Sequence, residues 1–419
     1  MTQAIVVVGA ATLTCLGREL ASTWSGLIAG RSGIRRHASL DPQFFLQDIA
    51  GLVTDPPVDP FADDANLSRL PARSIHLAVS AARDAWTDAG LKRADPRLDP
   101  ARVAVVLGSA LGGVDMLEAE SERLAKRKSL SVSPYLIPGL IINQAAGQVA
   151  LHLGLHGPSI APSNACSTGG HAIALGALLL RSGEADVAVC GGCESAFTPP
   201  IVNGFATMKA LIGRKPEDRS AADPNEASRP FSADRAGFVM SEGAGVIILA
   251  TTAAAERLEL RPRAALLGWC SNSDAYHMAA PHPGRIAECL AGALRHAGVN
   301  SSDIDYYNAH GTSTVVNDRV ETQALKQVFG PHAGALPVSS IKGAIGHALG
   351  AAAAIEAAVC VRALEDQLVP PTIHYLADPE LDLDYVPNTA RSATLNAVMS
   401  ASFGFGGTNN VLIFGRIEA

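Results

Sequence analysis

The chain has 419 residues, of which 48% are hydrophobic and only 17% charged, with 39 glycines. That length supports a large core or two fused halves, and the composition excludes a disordered chain. A formal net charge of −7 argues against general binding to nucleic acid or to a membrane surface, so an acidic partner would need a local basic patch.

The first residues, MTQAIVVVGAATLTCLG, carry a short apolar run without a basic leader region, which reads as a first strand over 4–9 rather than a signal peptide. Further strands are expected over 102–107, 186–190, 244–250, 264–268, 304–308, 397–401 and 410–414. Helical patterns cover 72–89, with Trp86 on the apolar face, and 167–182, 284–297, 318–328 and 348–364. The polar, proline-punctuated stretches 54–66 and 214–235 read as surface loops. Alternation of short strands with helices predicts an α/β protein with a parallel or mixed sheet. No segment has the length of a charge-free membrane span, since the apolar block after 343 carries Glu356, and a cytoplasmic protein is expected.

Seven cysteines, at 15, 166, 190, 193, 270, 289 and 360, are scattered through apolar runs. They suggest neither a disulfide framework nor a metal site. Cys190 and Cys193 form a CxxC, but DVAVCGGCES reads as a strand running into a glycine turn, with no second CxxC to complete a metal site.

One internal parallel stands out. SNACSTGGHAIALGALLLRSG and SSIKGAIGHALGAAAAIEAAVCVRAL share a plan: an extended segment, a small-residue turn bearing Cys166 or His347, then a helix apolar nearly all round. Such helices must be buried. The pattern suggests two similar halves meeting at one site, with the split near 255–262.

Four stretches carry chemistry. Cys166, in NACSTGGHAI, sits at a helix start where the dipole and unpaired N–H groups favour its thiolate, although a cysteine there also reads as a small buried hydrophobe. His310, in NAHGTST, follows a strand-like segment, where α/β folds place active-site groups. SSIKGAIGHALGA brings Lys342 and His347 together around a glycine turn, and SFGFGGTNN is a glycine-rich turn with Phe403 and Phe405. A thiol, two histidines and such a turn are the parts of thioester acyl transfer with a stabilised oxyanion.

This set, in this order, resembles the elongating β-ketoacyl-acyl-carrier-protein synthases, condensing enzymes of fatty-acid and polyketide synthesis. The likeness also includes GLIAGRSGI, GPSI, ASRPFSADRAGFVMSEGAG and SDAYHM, and spans nearly the whole chain. It implies a thiolase-like fold of two βαβαβαββ halves in an α-β-α-β-α subunit, here 1–258 with the nucleophile and 259–419 with the histidines. By position, Cys166 is similar to the acyl-accepting nucleophile, and His310 and His347 to the two catalytic histidines. Lys342 matches the supporting lysine, with Glu321 as its charge partner. The N–H groups of Cys166 and Phe405 would form the oxyanion hole, with Phe405 as gate. Leu111, Phe403, Thr312 and Thr314 fall at substrate-binding positions, with Leu111 at the acyl-pocket floor.

The resemblance further implies acyl-carrier protein, in acyl and malonyl forms, as partner, a homodimer or a heterodimer with a related subunit, and no cofactor or metal. Arg69, Arg73, Lys209 and Arg214 match or lie near basic docking positions, and Lys126, Arg127 and Lys128 add a second cluster. Departures from the family pattern are Ala401, Ala353, and Leu130 with Ser131. The alternatives fit less well. A chain-initiating synthase would have asparagine for His347, and a thiolase would need a second catalytic cysteine near the C-terminus. A non-catalytic chain-length-factor-like subunit would lack Cys166, and the local signatures of a papain-like hydrolase are missing.

Overall fold

The computed structural model describes residues 4–54, 72–127, 130–213 and 223–417. Ten strands make its principal sheet. They are β1 (Ile5–Leu13), β2 (Val103–Gly108), β3 (Ser159–Ile160), β4 (Val187–Glu194), β5 (Gly243–Thr251), β6 (Ala264–Ser273), β7 (Tyr306–Asn308), β8 (Val338–Ser339), β9 (Ala397–Gly404) and β10 (Thr408–Arg416). Their spatial order is β8-β7-β9-β10-β6-β1-β5-β4-β2-β3.

That order contains the same design twice. In β1–β5 the third, second, fourth, fifth and first strands lie side by side, and in β6–β10 the sequence of neighbours is identical. The directions match too. β2 runs parallel to β3 and β4, and β7 runs parallel to β8 and β9. β4–β5 and β5–β1 are antiparallel, as are β9–β10 and β10–β6. The halves join where β1 meets β6, through Val6↔Ala265 and Val7↔Ala264.

Both faces of the sheet are covered, which is why strands such as VAVVLG and GAGVIILAT are apolar throughout rather than alternating. Against the N-terminal half's outer face lies α1 (Arg73–Asp88), where Trp86 is buried and its Nε1 donates to the carbonyl of Lys92 at 2.9 Å. The C-terminal half is covered by α4 (Pro283–Ala297) and α5 (Val315–Phe329). Between the halves run α3 (Thr168–Arg181) and α6 (Ala352–Asp366), which share one hydrophobic core with inward residues of both. The segment α2 (Val114–Arg127) follows β2. The resulting layers are α-β-α-β-α.

Some boundaries differ from those expected, each for a local reason. α5 begins at Val315 rather than 318, because Thr314 caps it by accepting from Asn317 N. α6 begins at Ala352 rather than 348, because Leu349 holds φ +46° and a short 3-10 turn intervenes. The 214–235 stretch is a surface loop only in part. Within its described residues, Ser228, Phe231, Ser232 and Arg235 are buried, with Phe231 stacked on Tyr385 at 4.3 Å. Polar groups there find partners in other segments: Phe231 N donates to Asp318, and Arg235 pairs with Asp378 at 2.7 Å. The 54–66 loop lies, from residue 55 onward, outside the described residues. All seven cysteines are free. Cys190 and Cys193 sit on opposite faces of β4, one in the central core and one in the outer core, so the CxxC brings no sulfurs together.

The central helices touch through small side chains. A Cβ placed on Gly169 of α3 would come within 2.7 Å of both Cβ and N of Ala354 in α6. Gly169→Ala should therefore lower stability by about 1–3 kcal/mol in urea unfolding, the overpacking cost outweighing the gain in helix propensity. Unchanged or increased stability would show that the two helices are not in contact there.

Candidate active site

The two central helices enter the core through matched corners. Ala165 holds φ +49° at the start of the 3-10 turn Ala165–Ser167 before α3, and Leu349 holds φ +46° at the start of Leu349–Ala351 before α6. Non-glycine residues rarely adopt this region, and such corners mark functional sites. The first corner presents Cys166, which is 8% exposed. The second follows His347, whose N–H donates to Val239 O at 2.8 Å and whose carbonyl accepts from Ser241 N at 3.0 Å. His310 leaves the end of β7, and Glu321 on α5 accepts from the N–H groups of His310 and Gly311, both at 2.8 Å.

These elements bring one sulfur and two imidazoles together. The ligating atoms of Cys166, His310 and His347 all lie within 4.8 Å of one another, and the two rings meet edge to face at 5.4 Å. They sit in a cavity of about 270 Å³ walled by Phe205, Phe238, Phe403 and Phe405, with Thr312, Thr314 and Asn317 on one side. Phe403 stacks edge-on against His310 at 5.6 Å and Phe238 against His347 at 5.2 Å. Thr312 and Thr314 share a hydroxyl hydrogen bond of 2.9 Å.

Burial dominates the electrostatics. It pushes the Cys166 thiol up to about 11, against the opposing pull of Lys342 and of the backbone N–H groups of Phe405 and Cys166 itself. The N-terminal helix position therefore favours the thiolate less than desolvation opposes it, and the resting cysteine is a thiol. Burial, and then the Lys342 charge, push both histidines well below their ordinary value, so each imidazole is neutral and carries one N–H. Glu321 is raised to about 7 by burial, with the Gly311 and His310 N–H groups pulling the other way.

Lys342 corrects one expectation. Its ammonium pairs with Glu356 of α6, both side chains essentially inaccessible, and Glu356 also accepts from Ser402 at 3.2 Å. Glu321 is not its partner, because that carboxylate is taken up by the His310 turn, by Tyr307 OH at 3.0 Å and by Asn317. Glu356 was visible in the sequence only as a lone charge within an apolar helix, and that isolation is itself the signal of a buried pair. Glu194 and Asp318, both fully buried close to the site, carried no such mark.

Thr312, Thr314, Phe403 and Phe405 line the cavity, whereas Leu111 packs in the apolar cluster behind it, among Phe205, Phe238 and Leu349. Of the basic positions, Lys209 lies at the cavity wall. Arg73 is corrected: its guanidinium forks onto the buried Glu242 at 2.6 and 2.7 Å and donates to Val53 O, so its charge is committed within the fold. Lys126 pairs with Glu122 on its own helix. Arg69, Lys128, Arg214 and the side chain of Arg127 lie outside the described residues. Ala353 and Ala401 are buried, and Leu130 is fully exposed.

Residues 2–255 match the family described as Beta-ketoacyl synthase, N-terminal domain, and residues 263–376 match Beta-ketoacyl synthase, C-terminal domain. The chain belongs to the β-ketoacyl synthase family. It is 38% identical to the 3-oxoacyl-[acyl-carrier-protein] synthase 2 of Coxiella burnetii, covering 99% of this chain and 98% of that one. With the synthase of the same name from Vibrio harveyi the identity is 39% at the same coverage. Among solved structures, a β-ketoacyl synthase from Burkholderia phymatum superposes with a TM-score of 0.90 at 30% identity, covering 99% of this chain and all of that one. The ishigamide ketosynthase/chain length factor gives 0.89 at 31% identity, with both chains fully covered. These likenesses place the fold among the thiolase-like ketosynthases.

The ion pair beneath the site can be tested directly. Lys342→Met should cost about 3–5 kcal/mol, since it leaves Glu356 buried without its cation, and adding Glu356→Gln should recover part of that loss. In double-mutant cycles by urea unfolding, coupling of Lys342 to Glu356 should exceed its coupling to Glu321. The reverse ranking would restore Glu321 as the partner.

Proposed function

We propose that this β-ketoacyl synthase elongates acyl chains by decarboxylative Claisen condensation, with Cys166 as nucleophile. The observation that carries the reading is the convergence of one thiol and two neutral imidazoles within 4.8 Å in an apolar cavity. In the first half-reaction the Cys166 sulfur attacks the carbonyl of an acyl thioester on carrier protein. The carrier thiol leaves, taking up the Cys166 proton. The tetrahedral oxyanion is held by the N–H groups of Cys166 and Phe405, the same groups that face the resting sulfur. Each well-placed donor of this kind is worth about 3–4 kcal/mol.

In the second half-reaction malonyl-carrier protein enters and loses CO2. The electron pair of the broken C–C bond becomes an enolate whose oxygen needs donors, and the neutral imidazoles of His310 and His347 supply one N–H each. The enolate carbon attacks the Cys166 thioester, the thiolate departs and is reprotonated, and the product is a β-ketoacyl-carrier protein two carbons longer. Lys342, locked to Glu356, biases both rings toward neutrality. Leu111, Phe403, Thr312 and Thr314 would contact substrate, and Phe405 would gate the cavity. The two halves would be 1–258 and 259–419.

Among the described residues no helix is long and apolar enough to cross a membrane. We read the protein as cytoplasmic. Solved relatives include a ketosynthase in complex with its acyl-carrier protein and a ketosynthase in complex with its chain length factor. For this chain we infer an acyl-carrier partner and a dimer. Support for the dimer comes from β3, an edge strand, together with exposed Ile137, Ile141, Leu151 and Ile160 on it and on the segment leading into it. A homodimer is favoured over a heterodimer with a related subunit. The alternative, a non-catalytic chain-length-factor-like subunit, is disfavoured by Cys166 standing with both histidines.

Cys166→Ala should keep the fold but gain no acyl mass from acyl-carrier protein, as read by intact mass spectrometry, whereas Cys166→Gln should still release CO2 from malonyl-carrier protein. His310→Ala and His347→Ala should still load acyl groups while losing decarboxylation by about a hundredfold or more. Acyl loading by Cys166→Ala would refute the assignment. For docking, Lys209→Glu should raise KM for acyl-carrier protein by about three- to tenfold at low salt, with a smaller effect on a carrier-free acyl thioester. Equal effects on both substrates would remove Lys209 from the docking surface.

A further inference from the structure

The duplicated sheet allows each residue near the site to be paired with a counterpart in the other half. Glu194 ends β4 opposite Gly243, and Gly404 ends β9 opposite Thr408, so Glu194 corresponds to Gly404. Cys166 is the second residue of the turn opened by Ala165, and Gly350 is the second residue of the turn opened by Leu349. In one half, then, the corner N–H belongs to Cys166 and faces substrate. In the other it belongs to Gly350, and a carboxylate is already there: Gly350 N donates to Glu194 Oε2 at 3.2 Å.

Glu194 is fully buried and makes further contacts that cross the site. Its Oε2 also accepts from Ala110 N at 2.8 Å, its Oε1 accepts from Ser109 Oγ at 2.9 Å, and the N–H of Leu111 faces it as well. Ser109 Oγ in turn accepts from Gly112 N at 2.8 Å. The fit is tight, since a Cβ on Gly350 would stand 2.8 Å from Glu194 Oε2 and 2.6 Å from Ala110 N. One carboxylate therefore fastens the 109–112 turn, with Leu111, to the corner immediately after His347.

We propose that Glu194 is a positioning residue. It occupies the second half's counterpart of the Cys166 corner, and from there it sets the place of Leu111, which packs in one cluster with the cavity-lining Phe205, Phe238 and Leu349, and hence the acyl-length preference. This rests on the reading of Cys166 as the acyl-accepting nucleophile. The backbone N–H groups of Ala110, Leu111 and Gly350 can only donate, and a carboxylate meets them and the Ser109 hydroxyl with acceptors alone. Glutamine would keep an oxygen on those N–H groups and turn its NH2 toward Ser109 Oγ, which already accepts from Gly112 N, while removing the charge. The Glu194 charge also acts on the thiol. The charged and titratable groups facing Cys166 are Lys342, which favours the thiolate, Glu194, which opposes it, and the two neutral histidines.

The test uses the full-length protein, iodoacetamide and acyl-carrier proteins of graded chain length. Glu194→Gln should shift the acyl-length profile, raising KM for the best wild-type chain by about tenfold, the size expected when a hydrogen-bonded buried charge is removed. It should also label faster at Cys166, by about threefold or more at a fixed pH below the wild-type midpoint, because an opposing charge is gone. A lesion that merely let water reach the thiol would also lower its midpoint, so Ser109→Ala, which loosens the same turn without removing the charge, serves as the control. Ser109→Ala keeps the charge and removes one donor. It should move the length profile while leaving the labelling profile in place, and it decides the positioning claim even if Glu194→Gln is poorly soluble. Wild-type profiles in both variants would overturn the inference. If instead the wild-type protein takes up no acyl group at Cys166, the underlying function fails, a result distinct from the first.

Discussion

The close contact of α3 with α6 is the constraint on which the rest of the structure depends. α3 is built largely from alanine, glycine and leucine and α6 from alanine with β-branched residues, and both are buried between the two sheet halves. With Gly169 against Ala354 their starts are forced to the same place, and each start carries a corner in the left-handed region. One corner supplies the thiol and the other follows His347. A thiol and an imidazole from residues far apart in the chain are thereby held in register by packing.

The chemistry is then tuned by charges that have almost no water around them. Lys342 and Glu356 form a buried pair of the kind whose formation gains little but whose breakage costs much. Burial, and after it the Lys342 cation, keep two imidazoles neutral, while the same cation pulls the Cys166 thiol toward the thiolate against its burial. Glu321 and Asp318 are spent on the N–H groups of the His310 turn, including those of His310, Gly311 and Thr312, which fixes the ring without competing for its proton.

Much of this was legible in the sequence, for definable reasons. The strands covered on both faces read as unbroken apolar runs, and the central helices betrayed their burial by lacking a polar face. Cys166, His310, Lys342 and His347 each sit at a junction between an apolar run and a small-residue turn, where reactive groups can be recognised. What escaped was anything decided by contact between distant segments. Whether Lys342 faces Glu321 or Glu356 depends on the rotation of α6. Whether Arg73 is free depends on Glu242, which lies on a remote segment. Glu194 lies at the end of an apolar strand and looks like the first residue of a loop, until Ser109, Ala110 and Gly350 are seen to converge on it. The 228–235 stretch shows the opposite error, since several of its polar residues look solvated but are buried, Ser228 donating to Lys342 O and Arg235 to Asp378.

The strand order has a consequence for biogenesis. In each half the first strand pairs with the last, Ile5 with Thr251 and Ala264 with Arg416. A ribosome must therefore deliver nearly the whole of a half before that half's sheet can close, and the long-range pairings make closure slow. Until then the apolar strands and the polar-faceless central helices are exposed, the condition under which nascent chains aggregate or recruit chaperones. The two halves meet along β1 and β6, and β6 is translated only after all five strands of the first half, so the joint forms late as well. The topology that gathers a thiol and two imidazoles into one cavity thus postpones the completion of each half's sheet to the last strand translated.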